Sequence, residues 1–258
     1  MIAYQILGEP EAPALVLLHG LYGYGRNWLA MGRSLAADHW VILPDLRNHG
    51  SSFHAETWDY PSMAADIAEL AEALELQSFA LLGHSMGGKA AMQYALHHGA
   101  ERLSQLVVAD ISHRAYDAAY HQRLLSALSQ LDLQQINARS EASELLAAAI
   151  PEAAVRQFLL SNLRRDPQQG WAWQFNLPVL QKGLPAITAA LDLQGHCFAG
   201  PTLFLGGGNS DYLRPEDLSA LQPHFPRARA QWIPDAGHWL HADQPEAVEA
   251  ALRRFLQV

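Results

Sequence analysis

The residues able to do chemistry lie in three short segments. The first is Gly83-His84-Ser85-Met86-Gly87-Gly88-Lys89, preceded by the apolar run Ser78 to Leu82 and followed by Ala90-Ala91. A G-x-S-x-G sequence between a strand and a helix lifts a serine hydroxyl on a sharp, strained turn into reach of a base. Glycines are required on either side, because side chains at Gly83 and Gly87 would collide with the neighbouring strand and helix. A helix beginning at Met86 also aims its first amides and its positive dipole end at the carbon under attack. A chain with 18 glycines can form a Gly/Ser turn without chemistry. The strand and helix around Ser85 favour the nucleophile.

The second segment is Leu17-Leu18-His19-Gly20-Leu21-Tyr22-Gly23. Acyl transfer places negative charge on the former carbonyl oxygen, and the backbone amides of Leu21 and Met86 are expected to form the oxyanion hole that holds it. Alone, His19-Gly20 reads as a strand-end turn with a hydrogen-bonded core histidine; the serine turn gives it a partner function. The third segment is Pro234-Asp235-Ala236-Gly237-His238-Trp239-Leu240-His241. Among 13 histidines His238 is the expected base, since it follows a glycine at the crest of a loop after the last strand. His241, three residues nearer the final helix, is expected to be structural. His84 would have to turn back on its own backbone to act as base. His97-His98 sit at a helix end without a matching ligand cluster, so no metal site is expected.

These segments need elements to hold them. Short apolar runs at Ala14 to Leu18, Trp40 to Leu43, Ser78 to Leu82, Leu103 to Ala109, Thr202 to Leu205 and Gln231 to Ile233 alternate with helix-period stretches. That alternation predicts an α/β fold, a mostly parallel sheet flanked by helices. Ser62 to Leu76 has helical spacing with Pro61 just inside its start, and Pro245 to Leu256 is a second amphipathic helix. Between about Ser112 and Gly195 the sequence turns alanine- and leucine-rich and loses its strand signals. The expected organisation is a core of residues 1–111 and 196–258 with a helical cap inserted over 112–195.

Composition sets limits. With 258 residues and 50% hydrophobic side chains the chain can bury a large core. A formal charge of -9 argues against nucleic acid or an anionic membrane surface as partner. One cysteine, Cys197, allows no internal disulfide and no multi-thiolate site. The amino terminus lacks the features of a secretion signal and no run is long enough to span a bilayer, so a cytoplasmic location is expected. Oligomeric state is not legible.

The three segments, together with Pro44-Asp45-Leu46-Arg47-Asn48-His49-Gly50-Ser51-Ser52, Phe175-Asn176-Leu177-Pro178, Gly207-Gly208-Asn209-Ser210 and Ala236 to Ala242, resemble the YbfF-type esterases of the α/β-hydrolase superfamily. These are bacterial relatives of the mitochondrial abhydrolase-domain esterases, and the match runs end to end, weakest in the cap. The resemblance implies an α/β-hydrolase fold with a helical cap and cofactor-free hydrolysis of small to medium acyl esters or thioesters. It implies Ser85 as nucleophile, His238 as base, Asp110 as acid and Ser210 as a supporting hydroxyl. Chain order alone leaves the acid open between Asp110 and Asp211. Superfamily habit favours Asp211; the closer family resemblance favours Asp110, which also ends an apolar run where a lone carboxylate needs a partner. Each has a plainer role available, Asp110 as a helix cap and Asp211 as a surface turn residue.

Trp171, Trp173 and Phe175 are expected either to line the substrate pocket or to dock the cap on the core, the commoner use of closely spaced aromatics. The same fold could also serve a lactonase, a carbon-carbon hydrolase, a cofactor-free haloperoxidase or a non-catalytic ligand-binding homologue. Dehalogenase and epoxide-hydrolase chemistry is disfavoured because both place an aspartate where this chain has Ser85.

Overall fold

A computed structural model describes residues 1–99, 101–166 and 170–257. In chain order the first half contains β1 (Tyr4–Leu7), β2 (Ala14–Leu18), α1 (Leu29–Leu35), β3 (Trp40–Pro44), α2 (Tyr60–Ala73), β4 (Phe79–His84), α3 (Met86–His97) and β5 (Leu103–Ala109). There follow α4 (Ala119–Gln130), α5 (Arg139–Leu146), α6 (Ala153–Leu160), β6 (Leu163–Asp166), β7 (Gly170–Trp173) and α7 (Leu177–Thr188). The chain closes with β8 (Thr202–Gly207), α8 (Asp217–Leu221), β9 (Ala228–Ile233), α9 (Leu240–Asp243) and α10 (Pro245–Leu256).

Seven strands form one sheet in the order β1-β3-β2-β4-β5-β8-β9. Only the β1 edge, running beside β3, is antiparallel; the other pairings are parallel. The central strands read as unbroken apolar runs because both faces are covered. Leu81, Leu106 and Val108 face a core shared with α2, α3 and the elements between β5 and β8, whereas Leu82, Val107 and Ala109 face a second core with α1 and α10. The α2 helix starts as expected, with the Asp59 carboxylate accepting from the Ser62 amide at 2.8 Å and Pro61 in the first turn. It ends three residues before Leu76, where Glu75 takes φ 53°.

Two features depart from the sequence reading. Strand β1 was not foreseen: its residues are largely exposed at the sheet edge, so no apolar run marks it. The segment between β5 and β8 is not wholly helical, since β6 and β7 pair as an antiparallel hairpin, Leu163 opposite Trp173 and Asp166 opposite Gly170. Half-buried Arg164 and Trp171 and exposed Arg165 lie there without the hydrophobic continuity of a core strand. Among the described residues no helix is long and apolar enough to cross a membrane.

Candidate active site

All parts of the site hang from the carboxyl ends of neighbouring parallel strands, where an open α/β sheet leaves its crevice. Ser85 follows β4 directly and has φ 53° and ψ -119°, a conformation that costs a non-glycine residue about 1–3 kcal/mol. The surroundings enforce it. A Cβ on Gly83 would lie 2.1 Å from the Gly87 carbonyl oxygen, and one on Gly87 would lie 2.5 Å from that of His19. Strand β4 and helix α3 therefore approach closely enough to pin the turn.

The His238 ring connects two neighbours. Its Nδ1 lies 2.7 Å from Asp110 Oδ2 and its Nε2 lies 3.0 Å from Ser85 Oγ. An ionised carboxylate only accepts, so Nδ1 carries the proton and Nε2 is left to accept from the serine hydroxyl. Asp110 is fully buried, and its carboxylate accepts also from the Gly207 amide at 2.9 Å and the Ser210 hydroxyl at 2.5 Å. Asp211 is elsewhere: its side chain is 90% exposed, with its only charged contact Arg214 at 3.7 Å among the described residues. The structure thus brings together Ser85, His238, Asp110 and Ser210 and leaves Asp211 at the surface.

Leu21 and Met86 both border the cavity at Ser85. A Cβ on Gly20 would lie 3.3 Å from Ser85 Cβ, so the backbone leading into Leu21 passes against Ser85. That turn is held by His19, whose Nδ1 donates to the Gly20 carbonyl at 2.8 Å while Nε2 accepts from the Leu46 amide at 2.9 Å. His49 acts similarly, donating to the Arg47 carbonyl and accepting from the Tyr22 amide. Asn48 accepts from Asn176, which ties the start of α7 to the loop after β3.

The sequence reading gave no role to Tyr212 or Lys89, set His84 aside as base and expected His241 to be structural. Tyr212 stacks on His238 with ring centroids 3.9 Å apart, and His84 donates from Nε2 to the His238 carbonyl at 2.7 Å. His241 stacks on Trp28 at 4.4 Å. Lys89, 1% exposed, donates to the carbonyls of Arg114 and Ala189, and burial pushes its ammonium down to about 7. Its place inside the serine motif was the one signal available. Trp171, Trp173 and Phe175 line neither cavity that meets at Ser85. Trp173 stacks on buried Phe175 at 5.2 Å, and Phe175 packs on Tyr22 at 5.8 Å, so the trio docks the hairpin on the core.

Two cavities join at Ser85. One, about 430 Å³, runs between the sheet end and α4 and α6, past Leu124, Val155, Phe158 and Trp239. The other, about 30 Å³, lies toward Tyr60, Lys89, Ile111 and Ile187. Among the described residues no group of three or more His, Cys, Asp or Glu side chains could hold a metal ion.

Burial of the supporting histidines has a consequence for stability. Desolvation lowers His19 to about 4 and His49 to about 3, and holds His84 well below its ordinary value. The unfolded chain protonates these rings near 6.5, whereas the folded chain resists. Their contribution is present in full above pH 6.5 and is lost as pH falls toward 3, at about 1.4 kcal/mol per pH unit for each ring. Urea unfolding between pH 8 and pH 5 is expected to show a steep loss beginning near 6.5; a flat profile would contradict the neutral assignment.

A family profile described as alpha/beta hydrolase fold matches residues 13–245. The chain is 36% identical over 263 residues to a Mus musculus protein named sn-1-specific diacylglycerol lipase ABHD11, a match covering 99% of this chain and 85% of the relative. It is 35% identical over 242 residues to Esterase YbfF of Escherichia coli (strain K12), covering 94% and 92%. A solved structure described as a marine microorganism esterase superposes with a TM-score of 0.95 at 35% identity, over 98% of both chains.

Proposed function

We propose, for a chain that belongs to the α/β-hydrolase family, that it is a serine esterase in which Ser85, His238 and Asp110 act as nucleophile, base and acid. The observation that carries this reading is the unbroken path from Asp110 Oδ2 through His238 to Ser85 Oγ, at 2.7 and 3.0 Å, ending where two cavities meet. Relatives named as an esterase and a lipase, each at least 35% identical over nearly the whole chain, support ester hydrolysis.

The chemistry follows from the geometry. His238 Nε2 takes the Ser85 proton as Oγ attacks the acyl carbon, and the amides of Leu21 and Met86 hold the oxyanion. The tetrahedral adduct collapses, the bond to the alcohol oxygen breaks, and His238 returns the proton to that oxygen. Water then enters beside His238, gives up a proton to it, and releases the acid from Ser85. Asp110 fixes the imidazole's tautomer and stabilises its cationic form; hydrogen bonds from Ser210 and the Gly207 amide keep that carboxylate aimed. The elements from α4 to α7 serve as a cap that excludes water from the acyl carbon and shapes the pocket. Fluorophosphonate labelling located by peptide mass spectrometry tests the nucleophile, and modification anywhere but Ser85 counts against the assignment.

The two histidines of the last loop should separate cleanly. His238→Ala is expected to lower kcat/KM for p-nitrophenyl acetate by about 10⁴, with the fold intact. His241→Ala forfeits the Trp28 stack, worth about 0.5–1.5 kcal/mol, and should act mainly on Tm. The reverse pattern between the two variants would overturn the loop assignment.

A further inference from the structure

We infer that the two cavities at Ser85 divide the substrate, the small one taking the acyl group and the large one the alcohol, so that the protein prefers short-acyl esters of bulky apolar alcohols. This rests on the serine-esterase reading of the same site. Leu21, Ser85, His121 and Tyr212 border both cavities, which places the nucleophile at their junction. His238 borders only the large cavity, and Met86, whose amide is assigned to the oxyanion, only the small one. In acylation the imidazole must hand its proton to the departing oxygen, so the leaving group has to lie on the side that His238 lines. The acyl chain, attached to the same carbon with its oxygen in the Leu21–Met86 hole, is left the opposite side.

Size then sets the preference. A cavity of about 30 Å³ holds about two water-sized groups, enough for the chain of an acetyl or propionyl ester and marginal for butyryl. The large cavity, about 430 Å³ and walled by Leu124, Val155, Phe158 and Trp239, suits an extended apolar alcohol. The small cavity is also poorly able to swell. The Tyr60 hydroxyl donates to the Ile187 carbonyl at 2.7 Å, the Tyr116 amide to that of Thr188 at 2.8 Å, and Lys89 Nζ to that of Ala189 at 2.6 Å. Three successive carbonyls, those of the wall residues Ile187 and Thr188 and of Ala189 beside them, are therefore tied to the core side or to the segment after β5. Lys89 emerges as a positioning residue, binding both chain segments that connect α4–α7 to the sheet domain.

Two ester series read this out on the intact protein. Along p-nitrophenyl acetate, propionate, butyrate, hexanoate and octanoate, kcat/KM is expected to fall steeply after butyrate, since one methylene beyond what a pocket admits costs about 10- to 200-fold. Along methyl, butyl, hexyl and octyl acetate it should rise. Ile187→Ala, which opens the small cavity, should raise the hexanoate-to-acetate ratio at least about tenfold, and Ile187→Val should move it the same way with less risk to folding. Ala154→Trp, at the exposed rim of the large cavity, should lower octyl acetate more than methyl acetate. Turnover at Ser85 that climbs through the octanoyl ester, or that ignores the alcohol, would overturn the division of the site. No turnover in either series, with no fluorophosphonate label on Ser85, would sink the serine-esterase reading and this inference with it.

Discussion

Ser85→Ala is expected to leave a folded protein whose turnover of p-nitrophenyl acetate is reduced by about 10⁴ or more. The size of the effect follows from what remains. His238 and Asp110 stay 2.7 Å apart, and the Leu21 and Met86 backbone is untouched, but no oxygen is left to form the acyl-enzyme. Only water, less well placed, could attack. The fold should survive because Ser85 Oγ has a single partner of consequence, His238, and the turn is held by backbone bonds such as Ser85 amide to Ala109 carbonyl at 3.0 Å. A companion variant separates function from strain. At φ 53° and ψ -119° an alanine suffers as the serine does, whereas glycine adopts that region freely. Ser85→Gly should therefore be as inactive as Ser85→Ala and no less stable. Circular dichroism, thermal unfolding and the p-nitrophenyl assay together decide the matter, and activity within tenfold of the parent in either variant would remove Ser85 from the mechanism.

The motif residues are legible in the sequence because they sit at fixed spacing around one turn. Gly83 is demanded by its approach to Gly87 and Gly87 by the approach of the β2 end at Leu18 and His19, yet both flank Ser85 directly, so the pattern appears as a contiguous string. His238 is similarly marked by the loop that presents it. Strands β2, β4 and β5 are legible because both of their faces are buried, whereas β1 hides at an edge where Tyr4 and Ile6 remain exposed. The β6–β7 hairpin escapes for a related reason: it owes its position to Trp173, Phe175 and Tyr22 packing across long sequence separations, not to a two-residue hydrophobic period. Tyr212 and His121 belong to the site only because the loop after β8 and the start of α4 converge on the end of β4. No spacing in one dimension reports such convergence.

The placement of Asp110 is the clearest case of information that only the register supplies, and it carries the second large prediction. Strands β5 and β8 pair so that Ala109 lies opposite Leu205, and the Asp110 amide donates to the Leu205 carbonyl at 2.7 Å. That pairing sets the Asp110 carboxylate against the Gly207 amide and the Ser210 hydroxyl, beneath His238. Had the strands slipped by a residue, the carboxylate would have faced away. Asp110→Asn keeps the shape and removes the charge. Its carboxamide oxygen can still accept from Gly207, but its NH₂ group then faces the Ser210 hydroxyl and His238 Nδ1 with donors. His238 is driven to the tautomer that carries its proton on Nε2, toward Ser85, and cannot accept the serine proton. Turnover should fall by about 10⁴, with KM much less affected. Asp211→Asn alters a side chain that is 90% exposed and should change turnover by no more than about twofold, as surface substitutions usually do. Steady-state kinetics on the two variants, with thermal unfolding to exclude misfolding, distinguishes the aspartates, since a large loss in Asp211→Asn beside near-normal Asp110→Asn would reverse their roles. If Asp110 is the acid, the remaining activity of Asp110→Asn should also recover as pH is raised, because hydroxide can deprotonate an imidazole locked in the wrong tautomer or bypass it altogether, whereas a merely structural defect would show no such rescue.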